Sequence, residues 1–182
     1  MQMPRETRPN HRYFQTTHGF WRSRFHFGIT SWSAFWACPM AWMDRLRVVS
    51  MVLTPKLIGS LYIRTQVDYE TAGPSRGEVL HTTEIVKWGL TMMRSHETFV
   101  LDDNGRDIKI HGQQWFWPTL WRARPFADST CRINEEGTEG RYSFSWFGTR
   151  LEQTTAITPS AARIEMRTAW SLGVQELRRV EA

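Results

Sequence analysis

The chain has 182 residues, 41% hydrophobic and 23% charged, which suits one globular domain with a substantial core and argues against a disordered or fibrous protein. Ten tryptophans and a formal net charge of +5 stand out. Residues 1 to 50 carry that whole excess, seven Arg against Glu6 and Asp44, while residues 51 to 182 hold 16 basic and 16 acidic side chains. An electrostatic footprint for nucleic acid is therefore confined to the N-terminal segment, and no nucleic acid is expected on the remainder.

From Phe25 to Met43 there is no Lys, Arg, Asp or Glu, and arginines flank the run. A spanning helix wants about 20 predominantly apolar residues, whereas Thr30, Ser31, Ser33 and Pro39 interrupt this one. Three readings stay open for residues 1 to 50, taken as a basic, Trp-rich leader. It is a signal or anchor that makes membrane contact through 25 to 43, an extension ahead of a domain starting near Met43 or Met51, or a strand or helix packed on the domain through Gly19-Phe20-Trp21-Arg22. Cytoplasmic placement is favoured, and secretion or anchoring follows if residues 1 to 43 are a targeting segment. Cys38 and Cys131 lack partners at metal-ligand spacing, so neither a disulfide framework nor a zinc knuckle is expected, although one bridge remains open.

Residues 51 to 182 read as one β domain. Turn signals recur at short intervals, and the pieces between them are rich in Thr, Val, Ile and aromatics. Strands are predicted at 60–69, 78–88, 91–101, 107–117, 129–134, 141–147, 149–157, 163–170 and 174–180, the last of which reads equally as a short helix. Asn104-Gly105 is the strongest hairpin signal, because Asn-Gly accepts the positive φ of tight turns. Pro118 and Pro125 bracket a loop. Tyr142, Phe144 and Trp146 fall on one face and Ser143 and Ser145 on the other, a period of two. About nine strands joined by short hairpins give a mainly β, antiparallel up-and-down meander that forms a barrel or strongly curved sheet, with a short helix admissible near a terminus. Closure removes the exposed edges.

This meander resembles the lipocalin-type (calycin) barrels, and Gly19-Phe20-Trp21 matches their short Gly-x-Trp motif. The resemblance implies that Trp21 opens the first strand and that an arginine from the end of the barrel, Arg178 or Arg179, covers it. It also implies a ligand cavity, by analogy of fold. The long gap between Trp21 and the first clear strand departs from the family pattern.

His81, His96 and His111 lie on three successive predicted strands, each near a carboxylate. They could meet at a metal or serve as acid-base groups, but His96 shares a face with Arg94 and Thr98, and His111 with Lys109, as a solvated face would. His81 shares its face with Val79, Thr83 and Ile85, a mixed interior. The side chains expected to hold something inside are Arg94, Gln113, Trp115, Trp117, Trp121, Tyr142 and Trp146, and no cofactor or metal is expected. The Trp115 to Phe126 stretch reads as a barrel plug or as the lip of a pocket or membrane contact. Cys131 reads as a packed thiol.

No phosphate loop, nucleophile elbow, His-Glu-x-x-His or dinucleotide fingerprint occurs. Two readings follow. In the first, the barrel is a carrier or sensor that encloses a small apolar or amphipathic molecule. In the second, it is a small cofactor-free isomerase, cyclase or dehydratase that uses His81 or His96 with Glu84 or Glu97.

Overall fold

The computed structural model describes residues 9–58, 61–70, 78–101, 107–116, 124–125, 129–146 and 148–180. Their order is α1 (Pro9–Thr17), β1 (Gly19–Ile29), α2 (Trp32–Ala37), α3 (Trp42–Ile58), β2 (Leu61–Glu70), β3 (Glu78–Lys87), β4 (Leu90–Leu101), β5 (Asp107–Phe116), β6 (Arg124–Pro125), β7 (Ser129–Ile133), β8 (Glu139–Trp146), β9 (Thr149–Ile157), β10 (Ala161–Arg167) and β11 (Ser171–Arg179).

Ten of these strands form a ring. Antiparallel pairing runs β1 through β5, then β7 through β11, and β11 returns to β1. The seam is wide, with Trp21 to Ile29 facing Arg179 to Ser171. The two-residue β6 attaches to β5 at Gln113 and Gln114. Arg124, expected in the loop, and Pro125, expected to bound it, thus make a short bridge, which a proline tolerates at an edge. The hairpin at Asn104-Gly105 and the turn at 72–77 lie outside the described residues.

The nine strands read from the sequence are present within a residue or three at each end, and 174–180 is a strand rather than a helix. The tenth is β1, drawn from within residues 1 to 50. The boundary expected at residue 50 falls inside α3. Phe25 to Met43 divides among the end of β1, α2 and the start of α3, and among the described residues no helix is long and apolar enough to cross a membrane.

Alternation builds the core. In β7 and β11 every second residue is buried, which puts Cys131, Ile133, Gly173, Gln175 and Leu177 inside. Helix α1 closes one end of the barrel, with Tyr13 and Phe14 each 1% exposed. Phe14 packs on Phe99 at 4.7 Å between ring centroids. Space for the plug comes from two glycines. A Cβ on Gly137, which has φ +68, would lie 2.5 Å from the Pro9 carbonyl oxygen, and one on Gly140 would lie 2.7 Å from the Tyr13 hydroxyl.

Helices α2 and α3 cover the opposite end. Ser31 caps α2 by accepting from the Ala34 N–H. Arg45 of α3 donates to the carbonyls of Phe35 and Cys38 at 2.7 and 2.8 Å and lies over the Phe35 ring, clamping the two helices together. Beneath them Phe27, Phe35, Trp146 and Trp170 form one aromatic cluster. Cys38 belongs to this cluster and Cys131 to the core at the other end, so both are free thiols.

Candidate functional site

Between the two capped ends lies a cavity of about 520 Å³. Its wall is largely apolar, including Trp21, Phe25, Ile63, Ile85, Met92, Met93, Phe99, Ile110, Phe144, Trp146, Leu151, Ile164 and Met166. Among its polar groups, Tyr13, His81, Glu97, Tyr142, Gln153 and Thr155 stand at the α1 end, which we call the floor, and Arg47, Ser50 and Lys87 at the α3 end, the mouth, with Thr65, Thr83, Ser95, Gln114 and Gln175 also in the wall.

The floor is positioned by α1 and by the β3–β4 ladder. His81 faces Val67 on one side and Glu97 on the other. The Val67 N–H donates to His18, the residue after α1, and Phe14 lies 6.3 Å from the His81 ring. His81 Nδ1 stands 3.4 Å from Glu97 Oε2, and both side chains are mostly buried. The Tyr142 hydroxyl donates to that of Tyr13 at 2.8 Å, and Gln153 donates to Thr155 at 3.2 Å.

Burial dominates the acid-base behaviour of this group. It pushes the Tyr13 and Tyr142 phenols well up, with Cys131 and Glu97 adding to both shifts, Tyr13 adding to that of Tyr142 and the hydrogen bond from Tyr142 working against that of Tyr13, and it pushes the Cys131 thiol up to about 12. These three groups are neutral hydrogen-bonding groups at ordinary pH, not nucleophiles.

Of the side chains expected inside, Tyr142 and Trp146 line the cavity. Arg94 does not: it is exposed on the outer face, bound to Glu84 at 2.7 Å. Gln113 is exposed, and its neighbour Gln114 lines the cavity in its place, because adjacent strand residues point to opposite faces. Trp115 is half-buried on the outer face against the exposed His96, at 5.2 Å between ring centroids. It therefore does not fill the barrel bottom, a position taken by α1. Trp117 and Trp121 lie outside the described residues. Of the three histidines, His81 alone faces inward, since His96 and His111 are exposed, so they do not converge on one metal. Sequence reasoning missed Tyr13 entirely. A signal was present, since Tyr13-Phe14 stands a few residues before Gly-x-Trp, but nothing in a short aromatic pair fixes a barrel plug.

The arginine expected over Trp21 is Arg179, whose guanidinium carbon sits 4.5 Å from the ring centre. Closed up-and-down order, an N-terminal plug and this Trp–Arg contact make the fold a calycin-type barrel. No family model and no curated protein matches the sequence. Among solved structures, the chain is similar in fold to the REP1-NXSQ fatty acid transporter (9% identity, 92% of this chain and 98% of that one, TM-score 0.38). A Schistosoma mansoni fatty acid binding protein in complex with arachidonic acid gives 8% identity, coverage of 93% and 99%, and a TM-score of 0.40. A mutant of the fluorescent protein UnaG gives 13% identity, coverage of 91% and 97%, and a TM-score of 0.40.

Proposed function

We propose that the protein binds a small apolar or amphipathic molecule inside the barrel and acts as its carrier or sensor. The observation that carries this reading is the cavity: about 520 Å³ with an apolar wall and a few convergent polar groups. Ligand sites commonly span roughly 300–1,000 Å³ and share that composition. Native mass spectrometry of the purified protein, with organic extraction of what it holds, tests the reading. A bound apolar molecule is expected. Protein that stays empty and fails to take up the neutral fluorophore Nile red would end it.

A second reading rests on His81 and Glu97, a histidine and a carboxylate within reach of each other and facing one pocket. Such a pair would serve a cofactor-free isomerase, cyclase or dehydratase by passing a proton to and from a bound substrate. Incubating the extracted molecule with fresh protein and with His81→Phe separates the two readings, since an enzyme forms a product that the variant does not.

Membrane contact belongs to the carrier reading. Trp32, Trp36, Trp42, Met43 and Leu46 are exposed on α2 and α3, and Trp88 and Leu90 are exposed at the β3–β4 turn, at the same end of the barrel. Arg24, Arg45, Arg47 and Lys87 lie at or near this end, so aromatic and cationic groups together suit an anionic bilayer surface.

A further inference from the structure

The basic and acidic side chains that line the cavity are unevenly placed. Arg47 and Lys87 belong to the mouth: Arg47 is on α3 and bonded to Asp44 at 2.6 Å, and Lys87 ends β3 beside the strand that follows α3. His81 and Glu97 belong to the floor. Among the described residues, no lysine or arginine lines the cavity at the floor, and the Arg179 guanidinium is committed outside it to the carbonyls of Thr16, His18 and Pro159.

We propose that the floor accepts the polar head of a cationic amphiphile, a protonated amine on an apolar chain, with Glu97 as its anionic partner. This rests on the ligand-binding reading above and names the class of ligand. Two arguments carry it. At 3.4 Å the His81 contact is long for a charge-assisted bond, which runs about 2.7–2.9 Å, so Glu97 keeps strong acceptor capacity toward the cavity. A carboxylate head at the same place would stand against Glu97 with no lysine or arginine to offset it, which two ionised groups at close range do not tolerate. The Tyr13–Tyr142 pair supplies hydroxyl oxygens beside the head. The apolar chain then runs toward Met92, Met93 and Phe25 at the mouth.

The test is displacement of Nile red from the full chain by dodecylamine, dodecanol and dodecanoate, in wild type and Glu97→Gln. Dodecylamine is expected to bind tighter than dodecanol, and dodecanoate weakest, with steps of about ten- to a hundredfold between the charged ligands. In Glu97→Gln the amine should weaken by about tenfold or more while dodecanol stays unchanged, which also reports that the variant is folded. Lys87→Met serves as the second variant and should leave the amine preference intact.

Dodecanoate binding as tightly as the amine would overturn the proposal, as would an amine preference that survives Glu97→Gln. Carboxylate binding lost in Lys87→Met would overturn it by locating the head at the mouth. In each of these cases the barrel still binds ligand and the wider reading stands. Failure of all three ligands to displace a bound probe overturns the proposal alone, and failure of Nile red itself to bind overturns both.

Discussion

Arg179 lies across the face of Trp21, 4.5 Å from the ring centre, and its guanidinium donates to the carbonyls of Thr16, His18 and Pro159. One side chain thereby ties the first strand, the end of α1 and the β9–β10 turn together at the seam where the barrel closes. A lysine carries the charge but cannot fork to three carbonyls. Arg179→Lys is therefore expected to cost about 1–3 kcal/mol in urea unfolding. Trp21→Ala, which empties a fully buried site, should cost about 3–5 kcal/mol. Equal and small losses in both would mean that the contact does not secure the seam.

The strands were legible because period-two alternation with hairpin turns survives in a sequence whenever one face is wet. β1 alternates too, with Trp21, Phe25 and Phe27 turned in and Arg22, Arg24 and His26 exposed, but the helices α2 and α3 stand between it and β2 where a hairpin would be, so it passes for a leader. The candidate site was half legible for a different reason. Trp88 and Gly89, with φ of 51° and 77°, make a tight turn that pairs Lys87 with Leu90 and Val86 with Thr91. Continued without a break, that register would place His96 opposite His81. A one-residue shift after Val86 instead pairs Ile85 with Met93 and brings Glu97 across from His81. Nothing in Thr91-Met92-Met93-Arg94 announces the bulge, yet it puts both methionines in the cavity and makes the inward carboxylate Glu97.

Raised acid pKa values at the floor set an alkaline limit on stability. The folded Cys131 thiol holds its proton up to about 12 against an ordinary 9.0, and the two buried tyrosines hold theirs beyond 10.0. The unfolded chain therefore binds fewer protons above pH 9, and stability is fully present below that pH and falls as pH rises through the shifted range. Each group contributes about 1.4 kcal/mol per pH unit across its window. Urea unfolding at pH 7 to 11 should show this decline, and Cys131→Val should remove the part that begins at the thiol while leaving the part that begins at the tyrosines.

Filling the cavity should separate ligand capacity from folding. Ala162 lines the cavity from β10 beside Leu177 and Ile157. Ala162 is a buried wall residue, so the added ring of Ala162→Phe should take up cavity volume at a stability cost of roughly 1–3 kcal/mol, as at an overpacked site. Nile red uptake should fall by at least tenfold, or by about 1.4 kcal/mol. Uptake at wild-type strength would place the binding site elsewhere on the molecule.

The exposed tryptophans make the proposed membrane contact measurable without an added label. Indole rings settle at the headgroup level of a bilayer, and nearby cations add attraction to anionic lipid of about 1 kcal/mol each near the surface. Vesicles of phosphatidylcholine mixed with phosphatidylglycerol should bind the protein and shift its tryptophan emission to the blue. Vesicles of phosphatidylcholine alone should bind more weakly, and added salt should release the protein from the mixed vesicles. The triple substitution Trp32→Ser, Trp36→Ser and Trp42→Ser removes rings that are all more than half exposed, so folding and Nile red uptake should persist while vesicle binding falls at least tenfold. Vesicle binding that survives in this variant would mean that the α2–α3 end is not the surface that meets the bilayer.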